Sequence, residues 1–336
     1  MIPTLPARWY DDPTIFARER AAIFDQTWLL AGHITTIPAP TGAQALRVGG
    51  RSILLVRRAD GTLGAFHNVC RHRAAPLLWE GSSQRCATLQ CRYHGWRYDL
   101  DGTLRSTSGF GEAFSTDEWG LLEVHLRQWR GLLFVCFLPI QTPPPPLAES
   151  ISGLQTVAAE LPLESMVAFD TRSHTLRCNW KTYVENYLEG YHIPWLHPTL
   201  SAEISMRDYH VTVTGRTALH VVPTRAGAIS QGMWAWQWPN VALNVYGTGM
   251  SIERMNPVSP VEMEIHYTYL STADSTPAER EQSVAMSEQV TAEDVQICEA
   301  VAANLSAGIY DTGRLSPRHE GGVAAFQDWV RQALDA

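Results

Sequence analysis

Two short segments commit this chain to a fold that brings them together. Cys70-Arg71-His72 and Cys91-Arg92-Tyr93-His94 each pair one cysteine with one histidine, with residues 73 to 90 between them. Tight-turn signals flank them. Ser52 to Val56 is apolar and β-prone and runs into Asp60-Gly61, and a second turn signal stands at Asp101-Gly102. Two loops carried by neighbouring hairpins can present both thiolates and both imidazoles to one metal group. Zinc fingers usually group their cysteines and their histidines in separate pairs, whereas here each half mixes the two. A Cys2His2 zinc site is the alternative, and four residues with no metal a remoter one. Cys86, inside the spacer, is read as a buried thiol.

Two thiolates for one iron and two imidazoles for another are the ligand set of a Rieske [2Fe–2S] cluster, whose neutral histidines raise its potential above that of all-cysteine clusters. Leu122 to Leu138 supplies further strands to close a small β domain. Pro143 to Pro146 then forms a stiff connector without backbone donors, and the domain boundary is expected there. Ahead of the β region, Asp12 can cap a helix starting at Pro13, with Ile15, Phe16, Ala21, Ile23 and Phe24 turned inward.

A second polar cluster occupies Asn179 to His197, NWKTYVENYLEGYHIPWLH. At helical spacing Trp180, Tyr183, Val184, Tyr187, Leu188 and Tyr191 form a core-facing stripe. Glu185, Glu189 and His192 fall on the neighbouring side, facing a cavity. Pro194 interrupts the pattern, which puts His192 on the last helical turn and His197 just beyond it. Two close imidazoles with a carboxylate three residues before the first suggest a metal, at a spacing that is not the HExxH of zinc proteases. Lys181 is the only lysine in the chain. A local requirement for it and simple codon bias both explain that.

Downstream, strands are expected at 217–223, 241–246, 251–255 and 262–270, the spacing of an antiparallel sheet, followed by a helical region from about Thr276 to Leu305. There Asp294 shares a face with Ile297, Cys298, Val301 and Leu305, and a carboxylate in an apolar line needs a partner. Either Thr291 to Asp294 is a capping box opening a new helix, or Asp294 is the third ligand that His192 and His197 lack. The second reading completes the two-histidine, one-carboxylate set of non-haem Fe(II) oxygenases, which leaves positions for O2 and substrate.

The chain has 336 residues, enough for two domains with full cores. A formal net charge of -8 argues against nucleic acid or anionic membrane as a partner. The longest apolar run, Gly131 to Ile140, is too short to cross a bilayer, and Pro3 and Pro6 break any apolar leader. A cytoplasmic address is expected, where six cysteines need not form disulfides.

The paired motif, with the HGWRYDLDG that runs from His94, resembles the Rieske oxygenase family. Ala75 stands where respiratory Rieske proteins place a disulfide cysteine, and Ala74 where glycine is common. The resemblance covers nearly the whole chain and implies an α+β fold. Residues 42–142 would form an all-β Rieske [2Fe–2S] domain, and 143–336 a helix-grip, START-like catalytic domain with an antiparallel sheet. Residues 1–41 would be a helical segment packed on the catalytic domain. The same resemblance implies Cys70, His72, Cys91 and His94 as cluster ligands and His192, His197 and Asp294 as ligands of a mononuclear Fe(II). It implies Glu189 as the carboxylate linking His94 of one subunit to His192 of the next in a homotrimer. Many members carry aspartate there, in a stretch one residue longer. The glutamate version is similar to the branch oxidising quaternary ammonium compounds such as glycine betaine, carnitine and stachydrine, although that branch commonly has cysteine at the Gly190 position.

The expected activity is hydroxylation or oxidative demethylation of a small organic substrate with O2. Neither Gly109 to Gly111 nor Gly247 to Gly249 has the setting of a dinucleotide site, so NAD(P)H would act only through a separate flavin or iron–sulfur reductase. Trp234, Trp236 and Trp238 fall on one face of a strand and could box a trimethylammonium group, or fill the core or a subunit interface. Trp195, between the two histidines, is a further substrate candidate. An aromatic or alicyclic carboxylate is the alternative substrate. An electron carrier without oxygenase activity, or a helix-grip binding protein, would each leave one of the two ligand sets idle.

Overall fold

The computed structural model describes all residues except Met1, Glu112, Ala113, Asp208, Val222, Pro223, Arg225, Gly227, Ile229, Thr248 and Ala336, and the side chains at 230–232. The chain forms two compact units, Asp25–Pro145 and the combination of Met1–Phe24 with Pro146–Ala336.

The first unit is built from short antiparallel strands. Leu63–His67, Arg51–Arg57, Gly42–Val48 and Ser83–Gln84 make one sheet, and Thr88–Gln90, Arg97–Asp99 and Leu104–Ser106 another. Both expected hairpins are present. Asp60 accepts from the Thr62 backbone N–H and Asp101 from that of Thr103, each at 2.9 Å, as Asx turns do. Gly102 has φ +92°, and a Cβ there would lie 2.5 Å from the Phe66 ring. Leu54, Val56, Phe66, Leu89, Trp96 and Tyr98 form the core, with Cys86 half-buried against it. The unit begins at Asp25 rather than at 42, because Leu29–His33 pairs antiparallel with Leu132–Cys136. That strand was hidden in a stretch read as a helical approach.

The second unit is a seven-stranded antiparallel sheet with helices against it. Its strand order is Val167–Leu176, Glu262–Ser271, Gly249–Ser259, Val241–Tyr246, Ser230–Gln237, Thr217–Val221, His210–Thr214. All four expected strand regions appear, although Val222 and Pro223 lie outside the described residues. Five helices matter below: α1 (Pro13–Glu19), α2 (Trp180–Tyr187), α3 (Ile193–Leu196), α4 (Pro277–Ser306) and α5 (Gly321–Asp335). Among the described residues no helix is long and apolar enough to cross a membrane.

Asp12 caps α1 by accepting from Thr14 and Ile15 N–H. A π turn over Arg20–Phe24 then inserts a residue into the helical period. Ile23 and Phe24 are therefore buried, while Ala21, expected inside, is exposed. Glu19, one turn after Ile15 on the same face of α1, is buried with it, which explains the lone lysine. Lys181 Nζ lies 2.6 Å from Glu19 Oε1 and 2.8 Å from Asn179 Oδ1, with both charged side chains fully buried. An isolated buried charge is costly, and this ion pair ties α1 to the start of α2.

Glu185 is half-buried, apart from the cavity it was expected to face. It accepts from Tyr10 Oη at 2.7 Å and from Gln327 at 3.0 Å. Burial pushes its carboxyl up to about 7, against those hydrogen bonds. Between the ordinary value of 4.5 and about 7 the folded chain keeps a proton that the unfolded chain has lost. Stability from this group therefore falls as pH rises through that window. Glu185→Gln should remove a slope on the order of 3 kcal/mol, seen by calorimetry as a smaller drop in unfolding temperature from pH 5 to pH 8.

Candidate active site

In the β unit, the two cysteine–histidine segments form loops of matching geometry. Cys70 N–H donates to Ala75 C=O and Cys70 C=O accepts from Ala74 N–H; Cys91 makes the same pair with Trp96 and Gly95. The fifth position of each loop is left-handed, Ala74 at φ +56° and Gly95 at +76°. Ala74 thus takes up a conformation that glycine adopts at no steric cost. The His72 and His94 ring centroids lie 4.5 Å apart, and His72 stacks on Trp96. Both Nδ1 atoms are buried without a hydrogen-bond partner, and both cysteines are buried. Tyr98 Oη lies 3.4 Å from Cys70 Sγ and accepts from Arg71 N–H. Two orphaned imidazole nitrogens beside two buried thiols fit a cluster bound through two sulfurs and two nitrogens.

In the catalytic unit, α2 stops at Tyr187, one turn short of where Glu189 and His192 were expected to be helical. Pro194 does not end that helix. It sits in the first turn of α3, where its missing N–H costs nothing. His192 and His197 thus flank α3, and Glu189 lies on irregular chain before it. Gly190 allows this path, since a Cβ there would lie 2.4 Å from the Tyr209 ring. That ring occupies the space a cysteine side chain would need.

Asp294 comes from the middle of α4, a single helix of 30 residues capped by a box at Thr276 and Glu279. The capping box at Thr291 therefore does not form. The buried face of α4 is also not the apolar line expected: Ser287, Thr291, Asp294 and Cys298 are buried, while Ile297 and Val301 are exposed.

His192, His197 and Asp294 each offer a ligand atom within 4.8 Å of the others. Asp294 Oδ1 lies 3.0 Å from His197 Nε2 and 3.7 Å from His192 Nε2, and it accepts from Asn186 Nδ2 at 2.7 Å. The opposite ring nitrogens are held by carboxylates. Glu189 Oε1 is 2.5 Å from His192 Nδ1, and Glu293 Oε2 is 2.6 Å from His197 Nδ1. Glu189 also accepts from the backbone N–H groups of Tyr191 and His192. Burial disfavours a charged His197 ring, but Asp294 and then Glu293 outweigh it and raise its pKa. A carboxylate on the outer nitrogen of each ring is the arrangement that orients metal-ligating histidines. The donor set fits one divalent iron. Glu293 was missed in the sequence; its signal was its position next to Asp294, one residue round the same helix.

A cavity of about 110 Å³ adjoins this cluster, lined by Tyr183, Tyr187, Tyr246, Tyr267, Trp234, His220, Asn244 and Glu253 among others. Of the expected tryptophan box only Trp234 is there. Trp236 and Trp238 share its side of the strand but lie further along, under α5, packed on Phe326 and Trp329. Trp195 is 85% exposed and not among the described lining residues.

The family model described as ring hydroxylating alpha subunit (catalytic domain) matches residues 163–336, and the Rieske [2Fe-2S] domain model matches 27–116. The chain belongs to the ring-hydroxylating alpha-subunit family of Rieske oxygenases. It is 27% identical to the chloroplastic choline monooxygenase of Amaranthus tricolor, over 99% of this chain and 78% of that one. It is 28% identical to the carnitine monooxygenase oxygenase subunit of Escherichia coli K12, over 98% and 94%. A solved quaternary ammonium Rieske monooxygenase shares the fold with a TM-score of 0.89 at 23% identity, covering 98% of this chain and 95% of that one. This Rieske oxygenase is an oxidoreductase with a [2Fe–2S] domain and a catalytic domain of the type that binds mononuclear iron. As the oxygenase subunit of a Rieske system it works with a separate reductase on a small molecule. Family membership sets aside the electron carrier and the binding protein.

Proposed function

We propose that this oxygenase hydroxylates an N-methyl or neighbouring carbon of a small quaternary ammonium compound. The observation that carries the reading is the cavity beside His192, His197 and Asp294, where four tyrosines and Trp234 supply aromatic faces. Aromatic faces attract ammonium cations that cannot be hydrogen-bonded. The relatives named above act on choline and carnitine by their names, which supports the same class.

Cys70, His72, Cys91 and His94 would hold the [2Fe–2S] cluster, and His192, His197 and Asp294 the mononuclear Fe(II). When bound, these groups supply single electrons and O2 activation. The chain's own part is to orient and exclude. Glu189 and Glu293 fix the two imidazoles with Nε2 inward, Asn186 holds the Asp294 carboxylate, and the tyrosine wall keeps water from the reacting carbon. A hydroxyl placed on an N-methyl carbon collapses to formaldehyde and the demethylated amine. The working assembly is a homotrimer in which Glu189 links His94 of one subunit to His192 of the next. Inter-subunit electron transfer described for the solved relative supports that reading, and the four cysteines outside the cluster set, none of them in a disulfide, suit a reducing cytoplasm.

The test is O2 uptake and formaldehyde release by anaerobically purified, iron-supplemented protein with a flavin reductase. Uptake stimulated by choline, glycine betaine, carnitine or stachydrine is the expected result; stimulation by benzoate-type carboxylates alone would replace this reading with the aromatic one. About three irons and two sulfides per chain should accompany it. Glu293→Gln should weaken iron retention against a chelator by about 10- to 100-fold without altering the visible spectrum.

A further inference from the structure

Two buried polar groups in the cavity wall have no part in the ligand set. Glu253 lies on the strand Gly249–Ser259, opposite Tyr267 on the next strand, and is 1% exposed. It accepts from Tyr183 Oη at 2.6 Å and, at 3.5 Å, from Asn244 Nδ2. These partners are neutral, and a nearby charge acting on it is another carboxylate, that of Asp294. Burial pushes its carboxyl up to about 7. A carboxylate in such a wall gains most from a cation that enters the cavity without a water shell.

His220 is the second group. It is 2% exposed and lines the same cavity. Its Nδ1 lies 2.8 Å from Tyr209 Oη, while its Nε2 is buried with no hydrogen-bond partner. Burial, and then His192, lower its pKa to about 3, so the ring is neutral. In one tautomer Nε2 donates, in the other it accepts, and a hydroxyl satisfies either. Three carboxyl groups, those of Glu189, Glu253 and Asp294, already line the cavity. A net cation is therefore favoured over a zwitterion that brings a further carboxylate.

We propose that Glu253 and His220 are specificity-determining residues that together select a cationic ammonium alcohol, Glu253 facing the ammonium group and His220 Nε2 the hydroxyl. This rests on the ammonium reading above and goes further, separating alcohols from betaines.

The test is equilibrium binding to the anaerobic holoenzyme without reductant. The ligands are choline, tetramethylammonium, glycine betaine, benzoate and the uncharged carbon isostere of choline, with tert-butyl for trimethylammonium. Wild type should bind choline at least about tenfold more tightly than the isostere, and more tightly than glycine betaine or tetramethylammonium. Glu253→Gln should close the gap between choline and its isostere. His220→Phe should close that between choline and tetramethylammonium. Glycine betaine binding as tightly as choline would overturn the selection, an outcome that needs no variant to fold. An undiminished charge preference in Glu253→Gln, or in Glu253→Ala if the first is unstable, would overturn the counter-ion. If benzoate binds and no ammonium compound does, the ammonium reading itself falls, and this proposal with it.

Discussion

Asp294→Ala should abolish turnover and leave the visible spectrum of the Rieske cluster unchanged. The carboxylate sits mid-helix in α4, 8% exposed, and its Oδ1 is the point on which both histidine Nε2 atoms and the Asn186 amide converge. Under the proposed assignment its loss removes a direct iron ligand. The effect should exceed the about 10- to 100-fold that changes around a ligand cost. The fold should survive. Alanine is the better helix former, and the unpaired Asn186 and His197 groups cost about 1–3 kcal/mol each. Because the cysteine–histidine loops lie in the Asp25–Pro145 unit, iron should fall from about three to about two per chain with acid-labile sulfide constant. Loss of the visible absorption instead would remove Asp294 from the mononuclear site.

Legibility followed how locally each feature is encoded. The two cysteine–histidine loops were readable because each ligand pair spans a few residues and each neighbouring hairpin carries its own Asx-Gly turn. Asp294 was only half readable. Its helix was visible in outline, but the capping-box pattern at Thr291 is the same string whether a helix starts there or passes through. What decides between them is Thr276, which already caps the helix with Glu279. The end of α2 was misplaced because Pro194 looks the same at a helix stop and at a helix start. The choice is made by Gly190 passing close to Tyr209, a contact across about twenty residues that no local pattern records.

The substrate cavity was least legible, for a reason rooted in the sheet. Met250 to Pro257 is buried at every position, polar residues included, so alternation along the strand no longer separates inside from outside. Glu253 and Arg254, adjacent charged residues of opposite strand parity, are both buried. Burial holds even the Arg254 guanidinium down to about 10, against the opposing pull of Glu264. The tryptophans erred in the opposite sense. Period-two spacing correctly placed Trp234, Trp236 and Trp238 on one face, but a strand face crosses from cavity to core along its length, and α5 covers the last two.

Glu189→Gln carries the other large effect, and its two explanations separate cleanly. The carboxylate accepts from His192 Nδ1 and from the Tyr191 and His192 N–H groups, all donors when the ring is metal-bound through Nε2. A glutamine offers one oxygen and one NH2, so at least one of these donors must face another donor. If Glu189 only positions His192, the variant should lose iron affinity by about 10- to 100-fold, and excess Fe(II) should restore activity. If it also links subunits, as proposed, iron saturation will not rescue it. Single-turnover product formation from the prereduced protein should then remain slowed by at least about tenfold, the lower end of what such contacts carry, while both metal contents are normal. Unchanged single-turnover kinetics at full iron occupancy would refute the bridge and leave Glu189 as a support for His192 alone.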